Sequence, residues 1–378
     1  MDNSRTKYVF CNDLPSVASA TRILALSPVL IIDCEGRLIG TLTGALSLMC
    51  IGTERAEHIF IFDVLALRPF KSHLTPLLSI LTNSQIKKVM WDCRNDFLEI
   101  QSEYNITLTG IVDLQLAEIQ ARTAVRGESD FQRIQRFARG SGPALLLALR
   151  QNRELFLGVH RLQGMDACIR LAGVLATGKD RRCCVAWYIW HTYPSPAQVV
   201  AMHKALGSSI WLDRPLPPKL LAYAAHDIEL IAALYEHFKK RAWVTPTYEP
   251  LLMAQSMRYA YSLLHQGRVA KDDVFGQSSV LPLDVLSESP GPQFQCRGCQ
   301  RMQPLSCYSV RTQAENSQAR SDICRTCQIK VLIEGSVFSR FLGRCRLKPR
   351  CDRLCSFGSI GLLKGGISSF SRSGIAAM

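Results

Sequence analysis

Four acidic residues and one tyrosine are the side chains of this sequence best suited to chemistry. Asp33 and Glu35 follow an apolar run in VLIIDCEG, Asp96 lies in WDCRNDFLEI, and Tyr223 precedes Asp227 in LLAYAAHDIELIAALY. Carboxylates that a fold gathers together repel one another and are unfavourable to bury unless cations neutralise them. Their hard oxygen atoms favour Mg²⁺ or Mn²⁺. Brought together by a fold, these residues would form a site for divalent metal ions.

Two local patterns place four of these residues in pairs. The run VLII predicts a buried strand, and alternate side chains of a strand point to one face, so Asp33 and Glu35 should converge. Apolar residues recur at helical spacing around the second pair, which predicts a helix. Tyr223 and Asp227, four residues apart, should then lie on one face of that helix.

Each of these patterns also has an ordinary structural interpretation. An Asp-x-Glu sequence after an apolar run is often a strand that leaves the core, and a Tyr and an Asp four residues apart often share a helix surface. Asp96 could be an N-terminal acid favoured by the helix dipole, because Asn95 and Asp96 open an apolar helix. Only the ordered occurrence of all the segments favours a metal site.

The order and spacing of the segments resemble the DEDD superfamily of 3′-to-5′ exonucleases, in the branch with a tyrosine in its third motif, such as ribonuclease D and the Werner-type exonuclease domains. The resemblance runs from about residue 30 to about residue 238. It includes the opening strands DCEGRLIGTLTGALSLMCIG and HIFIFDV, the step IVDLQLAEIQA and the approach WLDRPLPPKLLAYAAHD. It implies an α/β fold with a ribonuclease H-like mixed sheet flanked by helices.

The resemblance also implies roles for the five residues. Asp33, Glu35, Asp96 and Asp227 would bind two Mg²⁺ or Mn²⁺ ions about 4 Å apart, as in other phosphoryl-transfer sites. Tyr223 would hold and orient the attacking water. The substrate would be a single-stranded 3′ end of RNA or DNA, and the product a nucleoside 5′-monophosphate. A relative that has lost turnover and serves as a nucleic-acid-binding or scaffold protein is the alternative, although none of the carboxylates is missing here.

Three neighbouring residues invite other assignments. Asp92 lies four residues before Asp96, and we interpret it as an acid at the end of a strand. Asp113, in IVDLQ, is expected to anchor structure rather than metal. His226 is expected to be a neighbouring helix residue and not a general base, because Tyr223 occupies the matching place.

The basic composition indicates an anionic partner. The chain has 378 residues and a formal net charge of +14, with a pI near 9.2. Contacts between phosphates and Lys or Arg supply affinity that is independent of base sequence, so nucleic acid is the expected partner. A basic tail could also account for part of the charge. Arginines in an insertion at about 121–202 could line a channel for a single strand or form the solvated face of a helix pair: Arg126, Arg133, Arg136, Arg139, Arg150 and Arg153.

Four cysteines form the second strong pattern. Cys296-x-x-Cys299 and Cys324-x-x-Cys327 are separated by 24 residues, somewhat more than the common interval of about 15 to 20. Paired Cys-x-x-Cys knuckles place four thiolates around a tetrahedral Zn²⁺, so we predict a structural zinc module. It resembles the cysteine knuckles that follow nuclease domains in some fungal proteins of the family. With several arginines nearby, it could bind nucleic acid or a protein partner.

The predicted organisation follows from these signals and from the composition between them. A helix with Ser16 as its cap is expected in the N-terminal lead-in. We find no signal-peptide pattern and no apolar stretch long enough to span a bilayer, so we expect an intracellular protein of the nucleus or cytoplasm with no membrane partner. The predicted segments are a lead-in at 1–28, an exonuclease-like domain at 29–245, a helix and linker at 246–292, a zinc module at 293–330 and a basic, disordered tail at 331–378.

Overall fold

A computed structural model describes residues 8–138, 147, 149–174, 202, 205, 207–270, 280–282, 286–288, 291–312 and 318–332. Its main part is a mixed sheet of six strands in the order β1-β4-β3-β2-β5-β6. Strand β3 is antiparallel to β2 and to β4, and the other neighbours are parallel. The strands are β1 (Tyr8–Cys11), β2 (Val29–Arg37), β3 (Ala45–Thr53), β4 (Ile59–Asp63), β5 (Lys87–Met90) and β6 (Ile111–Asp113).

Nine α-helices among the described residues accompany this sheet. They are α1 (Leu14–Leu24), α2 (Val64–Leu67), α3 (Thr75–Thr82), α4 (Arg94–Tyr104), α5 (Leu114–Ala124), α6 (Asp130–Ala138), α7 (Met165–Ala172), α8 (Pro218–Lys240) and α9 (Glu249–Gln266). Every residue of β4 and β6 is buried, as in strands that are covered on both faces. The predicted mixed α/β fold is therefore confirmed.

The long helix α8 packs directly on β2, β3 and β4. It starts with a proline, whose fixed φ angle suits the first helical turn. Gly52, in β3, permits the close approach, because a Cβ atom at this position would lie 2.5 Å from Cγ2 of Ile228. One apolar face of α8 is thus held against the middle of the sheet.

The N-terminal boundary of the domain differs from the prediction. The segment predicted as a lead-in contributes β1, which pairs in parallel with β4, and α1, whose Val17 and Leu24 are buried in the main core. The cap of α1 also differs, because the side chain of Asp13 accepts a hydrogen bond from the Ser16 backbone N–H at 2.8 Å. Asp13 therefore takes the capping role that we predicted for Ser16.

The C-terminal boundary differs as well. Helix α9 was expected in a segment of helix and linker, but its residues Leu252 and Tyr259 are buried in the main core. Ser256 of α9 also accepts a hydrogen bond from the backbone N–H of Asp113 at 2.9 Å, which fixes the helix to β6. The body of the structure thus extends through α9.

The described part of the arginine-rich insertion has its own small core. Phe137, Phe156 and Val159 pack there with Ile329 of the cysteine module. Two short strands, β7 (Val159–Arg161) and β8 (Val280–Pro282), pair beside it.

The arginines of this insertion follow neither expected pattern as a group. Arg133 is buried, pairs with Asp130 at 2.5 Å and donates to the carbonyl oxygen of Phe156 at 2.6 Å. Arg136 pairs with Glu128. For these two residues, the channel and the solvated-face interpretations are both wrong, because their guanidinium groups hold the insertion together. Arg139 lies outside the described residues.

The cysteine module consists of two hairpins and a helix. The first hairpin pairs β9 (Gln293–Gln295) with β10 (Met302–Pro304), and the second pairs β11 (Val310–Thr312) with β12 (Gln318–Arg320). Residues 325–332 are helical. The predicted disordered tail lies outside the described residues from residue 333 onward. Among the helices described, none is long and apolar enough to cross a membrane.

Candidate active site

Strand β2 places two of the predicted acids at the middle of the sheet. Asp33 and Glu35 are half-buried, whereas Cys34 between them is buried. This alternation follows from the pleat of a strand, because successive side chains point to opposite faces. Asp33 lies opposite Cys50 of β3, and the ladder shifts register just after Glu35. The two carboxylates therefore leave the same face where β2 departs from regular pairing.

Helix α8 brings the third motif to the same place. Asp227 is buried, and oxygen atoms of Asp33, Glu35 and Asp227 lie within 4.8 Å of one another. Tyr223, one turn earlier, is hydrogen-bonded to the carboxylate of Asp227. Three predicted ligands and the predicted tyrosine thus converge from segments almost 200 residues apart.

Asp96 lies beside this group. It occupies the first turn of α4 and is buried. Burial raises its pKa well above the ordinary value, and the charge of Asp33 is the next cause. The carboxylate of Asp96 is not among the oxygens that lie within 4.8 Å of one another. The structure therefore places Asp96 next to the predicted site, at its edge.

Burial and mutual repulsion raise the pKa values of the acids in this group. Burial raises the pKa of Asp33 to about 7. Burial, followed by repulsion from Asp33, Asp227 and Asp96, raises the pKa of Glu35 well above its ordinary value. The carboxylate oxygens repel one another, and divalent cations such as Mg²⁺ or Mn²⁺, which prefer hard oxygen ligands, would neutralise them. The chemistry of the donor set thus matches the predicted metals.

Tyr223 has the properties of a proton donor. Burial, and then the nearby charge of Asp227, raise its pKa above the ordinary value. The phenol therefore keeps its proton at neutral pH and can donate a hydrogen bond. The ring lies 6.4 Å from that of Trp211, which restricts its position.

The neighbouring acids have structural contacts. The carboxylate of Asp113 accepts a hydrogen bond from the backbone N–H of Cys93 at 2.8 Å and caps α5, as expected of an anchor. Asp92 pairs with the buried guanidinium of Arg94 at 2.6 Å. His226 contacts Glu229 at 3.1 Å on the surface of α8. The contacts of Asp113 and Asp92 hold the turn that leads into α4, and so to Asp96.

Sequence reasoning missed Glu99. This buried side chain accepts a hydrogen bond from the Gly40 backbone N–H at 2.8 Å and pairs with Arg268 at 2.6 Å. Gly40 belongs to the loop that follows Glu35, so Glu99 joins that loop to the helix that carries Asp96. Its position three residues after Asp96, on the same face of α4, was a signal that could have identified it.

A second missed residue is Asp166 in α7. After burial and the charge of Asp33, the charge of Asp166 contributes to raising the pKa of Asp227. No pattern in the sequence marks this residue, which lies in the insertion and pairs with Arg170 in its own helix.

The four predicted zinc ligands meet as expected from their spacing. Their sulfur atoms are buried and lie within 4.8 Å of one another. Two of the distances are 3.7 Å, between Cys296 and Cys327, and 3.9 Å, between Cys299 and Cys324. Tetrahedral bonds of about 2.3 Å to Zn²⁺ separate the sulfurs by about 3.8 Å, so the arrangement fits the ion. The Cys324 backbone N–H also donates to the sulfur of Cys296 at 3.1 Å, as expected for a thiolate.

Comparisons with known proteins found a family match and similar structures. Residues 8–125 match a family model described as 3′-5′ exonuclease. Trypanosoma brucei RNase D is structurally similar, with 19% sequence identity, 78% of this chain and 85% of that chain covered, and a TM-score of 0.50. Its complex with GMP aligns with 19% identity, coverage of 70% and 66%, and a TM-score of 0.48. Escherichia coli RNase D aligns with 16% identity, coverage of 67% and 51%, and a TM-score of 0.34.

No curated protein sequence matches the chain. The family match nevertheless shows that residues 8–125 resemble a 3′-5′ exonuclease domain. The fold of this domain is that of RNase D, and the predicted resemblance to the DEDD exonucleases is confirmed.

Proposed function

We propose that this protein is a metal-dependent 3′-to-5′ exonuclease that releases nucleoside 5′-monophosphates from single-stranded ends. The observation that carries the proposal is the convergence of Asp33, Glu35 and Asp227 within 4.8 Å, where Asp33 and Glu35 lie in the segment that matches the 3′-5′ exonuclease model. Nucleic acid is the proposed substrate because the family acts on it and because the chain carries a net charge of +14. Whether the strand is RNA or DNA depends on how the site treats the 2′-hydroxyl.

The proposed mechanism assigns each side chain one task. A pair of divalent cations, when bound, supplies an activated water and stabilises the leaving oxygen. Asp33, Glu35 and Asp227 would hold these cations, and Asp96 would complete the set from the edge of the site. Tyr223 would orient the attacking water through its hydroxyl, and its raised pKa excludes it as the base at neutral pH.

The cysteine module is proposed to hold one structural Zn²⁺ through Cys296, Cys299, Cys324 and Cys327. Its helix contacts the insertion through Arg325, whose guanidinium donates to the carbonyl oxygen of Leu155 at 3.1 Å. We therefore propose that the body at 8–266 and the zinc module at 291–332 act as linked units. We also propose that the zinc module binds a protein partner.

The proposal is tested by digestion of single-stranded RNA and DNA labelled at the 5′ or the 3′ end, with Mn²⁺ or with EDTA. We expect mononucleotides to be released from the 3′ end in a metal-dependent reaction. Asp33→Asn should lower the rate by at least about 10³-fold, because losing a metal ligand removes several kcal/mol of transition-state stabilisation. Glu57→Gln, a change at an exposed acid, serves as the control and should not alter the rate.

Two results would contradict this account. Equal rates in Asp33→Asn and the native protein would remove the assigned ligand set. Intact substrate that is still retarded in a gel would instead indicate a nucleic-acid-binding protein that keeps the fold without turnover.

A further inference from the structure

A second site is suggested by a cavity of about 400 Å³ at the C-terminal end of α8. The opposite half of this helix carries Tyr223 and Asp227. The cavity is enclosed by the ends of α5, α7 and α8 and by the turn that follows α8. Its lining includes Val125, Arg126, Leu171, His237, Arg241 and Trp243. We call it the Arg241 cavity.

The charge of the Arg241 cavity is positive. Glu118 is the acid in its lining, but it already pairs with Arg122 at 2.5 Å and with Arg126 at 2.6 Å. Arg241 is exposed and forms no ion pair with the residues that the structure describes. Burial, followed by the charge of Arg241, lowers the pKa of His237, which disfavours the charged form of this ring. Glu118 therefore neutralises part of the charge of Arg126, whereas the charge of Arg241 has no acid paired with it in the described part of the chain.

The guanidinium groups are also positioned for a ligand. Arg126 lies over the ring of Trp243 at 4.7 Å from the centroid, and stacking of this kind holds the planar group in one orientation. Trp243 itself is fixed by Phe238 at 4.6 Å and by His237 at 5.8 Å, measured between ring centroids. A planar, oriented arginine is the side chain best suited to phosphate oxygens.

Helix α7 connects the cavity with the acidic site. The charge of Asp166 acts on Asp227, whereas Leu171, later in the same helix, lines the cavity. Arg170 follows Asp166 by one turn and is largely exposed, with 61% of its side chain accessible. From Asp227 to His237, α8 advances by about 15 Å, which corresponds to about four nucleotides at the 3.4 Å rise of a stacked strand.

We propose that the Arg241 cavity binds the phosphodiester backbone of the substrate strand about four nucleotides upstream of its 3′ end. The proposal rests on the proposed exonuclease function, since it assigns the path of that substrate. Contacts to phosphate alone carry no base preference, so binding there is independent of sequence. Strands too short to reach from the acidic site to the cavity would lose this contact.

The test measures binding without turnover, so that it does not depend on catalysis. Fluorescently labelled single strands of three and of ten nucleotides are titrated in EDTA, and anisotropy is followed at several salt concentrations. Arg241→Ala should weaken binding of the ten-nucleotide strand by about tenfold and leave the three-nucleotide strand unaffected. The slope of log K against log salt should fall by about 0.7, the value for one phosphate contact on a single strand.

Controls separate this result from a general loss of charge or of folding. Arg22→Ala removes an exposed arginine of α1 and should leave both affinities unchanged. Arg241→Lys should restore part of the affinity, and thermal unfolding should show the same transition for all variants.

Several outcomes would overturn the proposal. They are equal affinity of Arg241→Ala and the native protein for the long strand, equal losses for both lengths, or no strand binding at all. Inorganic phosphate or a mononucleotide that displaces the long strand from the native protein at the concentration of the strand itself would indicate a free-anion site instead. Length-dependent binding without hydrolysis in Mn²⁺ would refute the exonuclease while the cavity assignment stands.

Discussion

The acidic site and the cysteine cluster gather ligands in opposite ways. The acids come from β2, α4 and α8, elements of a large apolar core that extends over most of the described body. The cysteines come from two short turns in a module whose described apolar cluster contains, besides cysteines, only Tyr308, Phe294 and Ile323. A core of that size cannot stabilise a domain without an additional constraint such as a disulfide or a structural metal ion. From this comparison we expect the acidic site to form without bound metal and the cysteine module to depend on a bound metal for its folding.

Removal of zinc is the most direct test of this difference between the two regions. Chelation, or Cys296→Ser, should unfold the module at 291–332, because zinc binding supplies about 10 kcal/mol of folding free energy in small modules. Helices α8 and α9 should stay folded. Limited proteolysis with mass spectrometry would locate the new cleavage sites, and metal analysis would give the zinc content.

Cys307 offers a matched control. It is buried in the same cluster but is not among the four sulfurs that lie together. Cys307→Ser should therefore retain one zinc per chain and keep the module resistant to protease. Cleavage throughout the body after chelation would contradict the idea that the two regions fold separately.

The pH dependence of stability tests whether the acidic site is formed in the absence of metal. Burial raises the pKa of Asp33 to about 7 in the folded protein, whereas an unfolded aspartate titrates near 3.9. The folded state binds the extra proton, so this contribution to stability is complete below about pH 4 and is lost as the pH rises through about 7. Without divalent metal, the melting temperature of the body should fall between pH 5 and pH 7.5.

Two further measurements test whether ionisation of the acids causes this loss of stability. Mn²⁺ at pH 7.5 should restore the melting temperature, because it neutralises the carboxylates that have ionised. Asp33→Asn should melt at a higher temperature than the native protein in EDTA at pH 7.5 and depend less on pH. A melting curve in EDTA that does not change across this range would contradict the assignment of a raised pKa to the Asp33 carboxyl through burial.

The sequence predicted those parts of the site that depend on local periodicity. The alternation in β2 placed Asp33 and Glu35 on one face, and the helical spacing in α8 placed Tyr223 one turn before Asp227. The roles of Glu99 and Asp166 could not be read in this way, because each depends on which distant element packs against its helix. Glu99 meets Gly40 across 59 positions and Arg268 across 169, and only the tertiary fold brings such residues together.

The misplaced domain boundaries have a similar cause. Strand β1 has four residues and pairs in parallel with β4, across about fifty positions of intervening chain. A short edge strand has almost no periodicity of its own, and its parallel partner is set by topology. The arginines of the insertion were equally ambiguous, since composition does not distinguish an exposed guanidinium from one that bonds to buried carbonyl oxygens, as Arg133 does.

The smallest predicted effect concerns the contact that preassembles the acidic site. Arg268 pairs with the buried carboxylate of Glu99, which holds the loop after Glu35 through the Gly40 backbone N–H. Arg268→Ala would leave that carboxylate with one fewer charged partner and should lower the free energy of unfolding by about 1 to 3 kcal/mol. It should also reduce kcat by several-fold, because the loop that follows a metal ligand becomes less fixed.

The matched control is Arg68→Ala, which removes an ion pair with Glu103, one turn further along α4. That arginine is about half exposed, with 49% of its side chain accessible, so the change should cost less than about 1 kcal/mol and leave kcat unchanged. Denaturant unfolding and single-turnover digestion would measure both effects. If the two variants lose the same stability and the same activity, the Glu99 contact does not position the site, and the acids are held by the strands and helices alone.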